Sequence, residues 1–222
     1  MMQGWLTNSN NLLYKIILFS VFWFFKILYR NKIYGAENFY PGAAILAANH
    51  ASFYDPPLLS ISTPYEVHFL ARKTLFDPFL FGSLIRKLNA HPVSGKAQDV
   101  AVFKTIVRLM REGKKLIMFP EGTRSKDGNL RPIKPGIAML ISRTGAAVIP
   151  AYLHGTYDIW SCHRKLPKLW GKTACVFGKP LHFTWDSSRD SKEQQDEISK
   201  KVEDAILHLK QWYDKGAIGS PP

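Results

Sequence analysis

Cysteine is almost absent from this chain of 222 residues, which contains only Cys162 and Cys175. The two are too far apart for a Cys-x-x-Cys redox motif, and their spacing is not that of a metal site. The sequence therefore excludes a fold held together by several disulfide bonds. We expect both thiols to be reduced, which is compatible with the cytoplasm.

Acidic residues are also scarce. There are 17 Asp and Glu against 30 Lys and Arg, which gives a formal charge of +13. A charge of this size suits an anionic partner, either a nucleic acid or a membrane surface that contains acidic lipids. The aromatic residues cluster in an N-terminal run and in short Phe-rich patches, and they do not alternate with Arg as on a base-stacking strand. This pattern favours anionic membrane lipids as partners over nucleic acid.

Long uninterrupted apolar runs are lacking as well. The apolar residues 12–29 are interrupted by Lys15 and Lys26, so the uninterrupted part, residues 16–25, extends only about 15 Å as a helix, roughly half a bilayer. We expect a membrane-embedded or interfacial helix here, since aromatic and basic residues flank it. The alternatives are a core helix of the folded domain and a signal peptide, although no small-residue cleavage site follows the run.

What is present is an alternation of strand-like and helical segments, without internal repeats. It predicts an α/β domain with a mainly parallel central sheet flanked by helices. Strands are expected at residues 43–48, 66–71, 116–119 and 148–153, with edge strands at 174–177 and 181–184. Helices are expected at residues 57–62, 78–88, 99–111, 137–143 and 191–213.

The predicted organisation has three parts. Residues 1–35 form the N-terminal membrane-associating helical segment, residues 36–215 form the main domain, and residues 216–222 form a disordered tail.

The first candidate site directly follows the strand predicted at residues 43–48. His50 and Asp55 are five positions apart, and on a regular helix two such residues point in different directions, so they can meet only if His50 lies in the loop before the helix. Asp55 can then accept a hydrogen bond from one imidazole nitrogen and leave the other free to take a proton. The alternative is a surface His and a helix-capping Asp in an ordinary loop.

A second polar stretch, residues 119–125, follows the strand predicted at 116–119. In open α/β sheets, ligands bind beyond the carboxyl ends of the strands, so both loops are expected to face one crevice. Gly122 allows the backbone to come close to a ligand, Thr123 offers a hydroxyl, and Arg124 offers a planar fork for a phosphate. The alternative is a turn with a surface pair of Arg124 and Glu121.

Together these two stretches resemble the paired signatures of the glycerolipid acyltransferases of the lysophosphatidic acid acyltransferase type, the PlsC family. The resemblance rests on residues 49–56 and 119–125, in this order and about seventy positions apart, and on the apolar block at 148–155. It covers roughly residues 40–185. It implies that His50 is the catalytic base, that Asp55 orients it, and that Glu121 holds Arg124 or a glycerol hydroxyl.

The same resemblance suggests further substrate-binding residues. The family places a basic residue where Arg72 and Lys73 stand, although a solvated pair is the alternative, and it has a similar Lys-x-Gly at Lys134, where a helix begins. The chain departs from the family at Ser94 and Gly95, which stand where an Asp and an Arg are expected. Lys96 is then the nearby cation, and a Lys lacks the bidentate geometry that suits phosphate.

The resemblance implies transfer of a fatty acyl group from acyl-CoA or acyl-ACP to the sn-2 hydroxyl of 1-acylglycerol-3-phosphate (lysophosphatidic acid), which gives phosphatidic acid. Beyond the acyl donor it implies neither a metal nor a cofactor. The expected location is the cell (inner) membrane, with the active site on the cytoplasmic side. The alternatives are an acyltransferase for another lysophospholipid or for glycerol-3-phosphate, and a non-catalytic membrane scaffold that binds lipid.

Overall fold

The computed structural model of the protein describes residues 11–93 and 100–222. Its α-helices are α1 (Leu12–Leu28), α2 (Asp55–Ser62), α3 (Phe79–Lys87), α4 (Val100–Arg111), α5 (Gly136–Thr144), α6 (Thr156–Trp160) and α7 (Ser191–Asp214). Its strands are β1 (Lys32–Tyr34), β2 (Ala44–Ala48), β3 (Val67–Arg72), β4 (Ala90–Val93), β5 (Lys115–Met118), β6 (Ala147–His154) and β7 (Ala174–Phe177).

The seven strands form one sheet in the order β1-β7-β6-β2-β5-β3-β4. Neighbouring strands are parallel, except that β6 and β7 are antiparallel. The mainly parallel sheet predicted from the alternation of segments is thus confirmed. Because β2, β5 and β3 are adjacent and parallel, the loops that follow them leave the sheet at the same edge.

The core lies on both faces of the sheet, and the side chains of β2 show how it is divided. Leu46 packs into the cluster that also contains residues of α1 and α2, whereas Ile45 and Ala47 pack into the cluster formed with α4, α5 and α7. Successive side chains of a strand point to opposite faces, so an uninterrupted apolar strand such as β2 has to be covered on both sides.

Helix α1 belongs to this core through one stripe of side chains. Tyr14, Leu18 and Phe25 are buried against the sheet and α2, while the other faces of the helix leave many large apolar residues exposed. The exposed residues include Leu12, Ile16, Phe19, Trp23 and Ile27. None of the helices in the described part of the chain has both the length and the apolar character needed to span a bilayer.

The structure differs from the sequence predictions at both ends of the chain. Through α1 and β1, much of the predicted N-terminal segment shares the core and the sheet of the main domain. At the other end, Pro221 is buried and the carbonyl of the exposed Pro222 accepts a hydrogen bond from the Lys179 N–H at 3.2 Å, so the tail packs back onto the domain.

Residues 181–184 form no strand. Leu181 instead makes an isolated bridge to Val148. The two cysteines are free thiols, with Cys175 buried and Cys162 half-buried.

Candidate active site

The loops after β2 and β5 meet at the carboxyl edge of the sheet, as the sequence predicted. The backbone N–H of Ser125 donates to the carbonyl of His50 at 2.7 Å, and the N–H of His50 donates to Glu121 Oε1 at 3.1 Å. The neighbouring parallel strand, β3, ends at Arg72 on the same edge. The strand ends therefore bring three of the predicted site segments together.

Asn49 fixes the start of the first loop. Its side-chain amide donates to the carbonyl of Leu153 at 3.1 Å, and its side-chain oxygen accepts from the Leu153 N–H at 2.7 Å. Both groups are buried, so breaking this pair of bonds would leave a donor and an acceptor unsatisfied, at a cost of roughly 1–3 kcal/mol each. The Asn49 clamp thus ties the end of β2 to β6 one residue before His50.

His50 and Asp55 are in direct contact. The Nδ1 atom of His50 lies 2.7 Å from Asp55 Oδ2, with His50 in the loop and Asp55 as the first residue of α2. This confirms the predicted placement of His50 before the helix. The contact occupies Nδ1, so Nε2 is the nitrogen available to take a proton. The His50 side chain is 18% exposed, whereas that of Asp55 is fully buried.

The Asp55 carboxylate is held by the backbone as well as by the imidazole. Its Oδ2 also accepts the N–H groups of Ala51 at 2.6 Å and Ser52 at 2.7 Å. Hydrogen bonds of this kind fix the position of the oxygen that faces the imidazole. Its other oxygen, Oδ1, is buried without a hydrogen-bond partner in the described structure.

The face of the imidazole is covered by Phe119. The two rings are stacked, with centroids 4.1 Å apart and planes inclined by 18°. Asp55 holds one edge of the His50 ring and Phe119 holds its face, so the direction of Nε2 is fixed before a substrate arrives.

Glu121 is buried and supports His50 from the backbone side. Burial raises the pKa of Glu121 to about 7, the hydrogen bond from the His50 N–H opposes this, and the charge of Asp55 adds to it. Near neutral pH the carboxyl group is therefore divided between its two protonation states. The expected contact with Arg124 is absent, since no ion pair joins the two among the residues that the structure describes.

Arg124 stacks on an aromatic ring instead. Its guanidinium carbon lies 3.7 Å from the centroid of the Phe53 ring, and its Nη1 is buried without a hydrogen-bond partner within the described chain. Partial burial lowers the pKa of Arg124, and the nearby positive charge of Arg72 contributes to the same change. Two cations close together, one with an unused N–H group, form a site suited to an anion.

The remaining predicted residues fall into two groups. Lys134 joins the site, because its side chain lies over Gly122 so closely that a Cβ added there would be 2.9 Å from Lys134 Nζ. Gly122 also has a φ of +73°, which favours glycine. Thr123 is half-buried next to it, and Lys73 is exposed just after β3. Lys96, Ser94 and Gly95 lie outside the described residues.

The site lies within a segment of the chain that matches a known protein family. The model of the Acyltransferase family matches residues 30–154, which is more than half of the chain and includes all of the site residues described above. The chain belongs to the acyltransferase family.

Several known acyltransferases are similar to this chain over most of its length. A 1-acyl-sn-glycerol-3-phosphate acyltransferase from Bacillus subtilis is 28% identical over 186 residues, which are 83% of this chain and 90% of the relative. The crystal structure of the 1-acyl-sn-glycerophosphate (LPA) acyltransferase PlsC from Thermotoga maritima aligns with a TM-score of 0.70 at 25% identity, over 89% of this chain and 81% of that one.

A plant relative is longer. The chloroplastic 1-acyl-sn-glycerol-3-phosphate acyltransferase LPAT1 from Arabidopsis thaliana is 31% identical over 169 residues. The alignment covers 73% of this chain but 46% of the plant protein, so the chain matches about half of that acyltransferase's length.

Three residues of this acyltransferase site were missed by the sequence analysis. They are Asn49, Phe53 and Phe119, which clamp the loop, stack on Arg124 and stack on His50. All three lie inside or beside the two stretches that were recognised. Their closeness in sequence to His50 and Arg124 could have drawn attention to them. A contact between side chains of two different loops, however, cannot be deduced from the spacing of residues along the chain.

Proposed function

We propose that this acyltransferase moves a fatty acyl group from acyl-CoA or acyl-ACP to the sn-2 hydroxyl of 1-acylglycerol-3-phosphate and so forms phosphatidic acid. The proposal rests chiefly on the 2.7 Å contact of His50 with Asp55, beside an Arg124 that has a buried, unused N–H group. The activity named for the Bacillus subtilis and Thermotoga maritima proteins supports the same acceptor.

In the proposed mechanism, His50 acts as a general base. Nε2 takes the proton of the acceptor hydroxyl while the oxygen attacks the thioester carbonyl, and Asp55 stabilises the imidazolium that forms. The new carbon–oxygen bond replaces the carbon–sulfur bond, and the proton passes from His50 to the leaving thiolate. Proton transfer of this kind contributes roughly a hundredfold to ten-thousandfold in rate.

The acceptor phosphate is proposed to bind at Arg124, with the charge of Arg72 nearby. Lys134 lies over Gly122 and adds a third cation at the same loop. Lys73, Lys96 and Thr123 remain proposed contributors, and Glu121 is proposed to fix a glycerol hydroxyl. A phosphate bound here would satisfy the unused Nη1 of Arg124.

The direct test is a panel of acceptors and donors. Purified protein is given lysophosphatidic acid, other lysophospholipids or glycerol-3-phosphate, each with acyl-CoA or acyl-ACP, and the products are identified by mass. We expect phosphatidic acid as the main product. A product formed only from glycerol-3-phosphate or from another lysophospholipid would reassign the acceptor, and vesicle binding without any acyl transfer would favour the scaffold.

The phosphate site predicts a selective effect of Arg124→Lys. A Lys keeps the charge but loses the planar fork and the stacking on Phe53, so we expect the KM for the acceptor to rise by roughly tenfold while the KM for the donor changes little. Arg143→Lys is a matched control, because Arg143 also lies over an aromatic ring, that of Phe103. A rise in the donor KM alone would place the phosphate elsewhere.

We also propose that α1 holds the protein on the inner face of the cell membrane, with the active site on the cytoplasmic side. Its outward apolar residues, among them Ile16, Trp23 and Ile27, support an interfacial position, and Lys15, Lys26, Arg30 and Lys32 lie on or next to the helix. Aromatic and basic residues are enriched at headgroup depth in membrane proteins, and basic ones attract acidic lipids.

Salt separates the apolar and electrostatic parts of this attachment. The Debye length falls from about 8 Å at physiological ionic strength to about 3 Å at 1 M, so salt removes the attraction of charges but not the burial of apolar surface. We expect the protein to stay on vesicles in 1 M salt, and the double variant Ile16→Ser, Ile27→Ser to be released to a much larger extent, as measured by sedimentation. Release of the unmodified protein by salt would contradict an apolar anchor.

A further inference from the structure

A second exposed apolar surface lies on α3 and on the turn before it. We call it the α3 patch; it consists of Leu75, Phe79, Leu80, Phe81 and Leu84. Phe79 is 85% exposed and Leu80 is 82% exposed, which is unusual for consecutive large apolar side chains. Neither residue is used by the proposed chemistry, and neither belongs to α1.

The α3 patch is held outward by a well-packed support. Phe76 and Ile85 face inward and form a small core cluster with Ala71 and Ala90. Gly82 lies so close to the carbonyl of Phe76 that a Cβ added to it would be 2.3 Å from that oxygen. The side of α3 that carries Gly82 and Ile85 is thus packed against the preceding turn. Phe79 and Leu80, at the start of α3, remain exposed.

The charges around the α3 patch indicate what covers it. Residues 72–87 contain four basic side chains, Arg72, Lys73, Arg86 and Lys87, and one acidic side chain, Asp77. A cluster of apolar and aromatic residues with basic neighbours is complementary to a membrane with acidic headgroups. Five side chains are also fewer than the roughly 20–30 residues that each partner contributes to a stable protein interface.

The α3 patch is adjacent along the chain to the rim of the active site, and α3 is hydrogen-bonded to the start of α1. The turn that begins the patch directly follows Arg72, the residue at the end of β3 on the active-site edge. At the other end of α3, the carbonyl of Lys87 accepts a hydrogen bond from the side-chain amide of Asn11, at the start of α1, at 3.2 Å. The patch therefore lies between the rim of the site and the proposed anchor helix.

We propose that the α3 patch inserts into the interfacial region of membranes that contain acidic lipids, and that it holds the active-site rim against the bilayer. This inference rests on the proposed function, since it assumes an acceptor that enters from the membrane. Both apolar surfaces then contribute to membrane binding, and the α3 patch in addition sets the distance between the site and the lipid.

The test compares Phe79→Ser, Leu80→Ser with the control Ile218→Ser, which removes an equally exposed apolar side chain, 83% exposed, near the C-terminus. Both variants of the full chain are sedimented with vesicles of phosphatidylcholine and phosphatidylglycerol. We expect the α3 variant to bind at least about tenfold more weakly and the control to bind like the unmodified protein. Phe79→Trp should retain binding, because Trp suits the interface.

Activity provides the second measurement. With long-chain lysophosphatidic acid in vesicles we expect the α3 variant to lose about tenfold or more in rate, whereas with a short-chain acceptor that is monomeric in solution we expect no change. Unchanged vesicle binding would overturn the proposal. If binding falls as expected but no protein acylates either acceptor, the patch is supported and the proposed function fails.

Discussion

His50→Ala is expected to lower turnover by at least about a hundredfold, because a general base contributes at least that much. The side chain is partly exposed at the sheet edge and its contacts are those of the site, Asp55 at Nδ1 and Phe119 at the ring face. The variant should therefore fold normally and bind vesicles as before. The measurements are kcat with lysophosphatidic acid, the thermal unfolding midpoint and vesicle sedimentation.

A matched control is His208→Ala, which removes an exposed histidine from α7 on the domain surface. It should leave all three measurements unchanged. If His50→Ala keeps more than about a tenth of the original rate, His50 is not the base, and another group must take the hydroxyl proton.

Asp55→Asn is expected to lower turnover by roughly a hundredfold or more while it preserves the fold. Asn has the same shape and can still accept the N–H groups of Ala51 and Ser52, but it has no charge to stabilise the imidazolium, and its amide can favour the wrong tautomer of His50. The carboxylate is fully buried and one of its oxygens has no partner in the described structure, so its neutral replacement should cost little stability.

The decisive observation is therefore a separation of rate from stability in one variant. Thermal unfolding is measured beside kcat, and a midpoint close to that of the unmodified protein with a large loss of rate is the expected result. If the midpoint falls in proportion to the activity, Asp55 acts chiefly as structural support for the loop at Ala51 and Ser52, and its proposed role toward His50 has to be abandoned. Such separation is common at sites where a charge is kept for function.

The central part of the fold was predictable because its signals are local. Strands β2, β5 and β6 are short apolar runs that end at Gly, Pro or polar residues, and the order of strands and helices implies a parallel sheet. Once the strands are parallel, their following loops share an edge, which is why the meeting of the His50 loop with residues 119–125 could be expected from the sequence.

The parts that were missed depend on contacts between distant residues. Strand β1 has three residues, and β4 contains Pro92, so neither has a recognisable strand pattern; they are strands because β7 and β3 lie beside them. Apart from Lys15, Ser20 and Lys26, helix α1 is apolar throughout, which hides the stripe that packs on the sheet. The tail at residues 216–222 is ordered by a bond to Lys179, which no local pattern indicates.

The active site, too, was predictable from the sequence only in part. The residue types that perform the proposed chemistry, His50, Asp55 and Arg124, were evident from their spacing and from the family resemblance. The partners that hold them in position were not, since Phe119 reaches His50 from the loop after β5 and Phe53 reaches Arg124 from the loop after β2. Side-chain stacking between loops depends on rotamers, and sequence spacing does not specify them.

The Asn49 clamp determines when the catalytic geometry is established. Separating the start of the His50 loop from β6 requires two buried hydrogen bonds to break together, so this opening is rare in the folded protein. His50, the proposed base, consequently reaches its position during folding and not during each turnover. In each catalytic cycle, the lipid substrate and the water that it displaces then have to rearrange, whereas the protein's site is already in position.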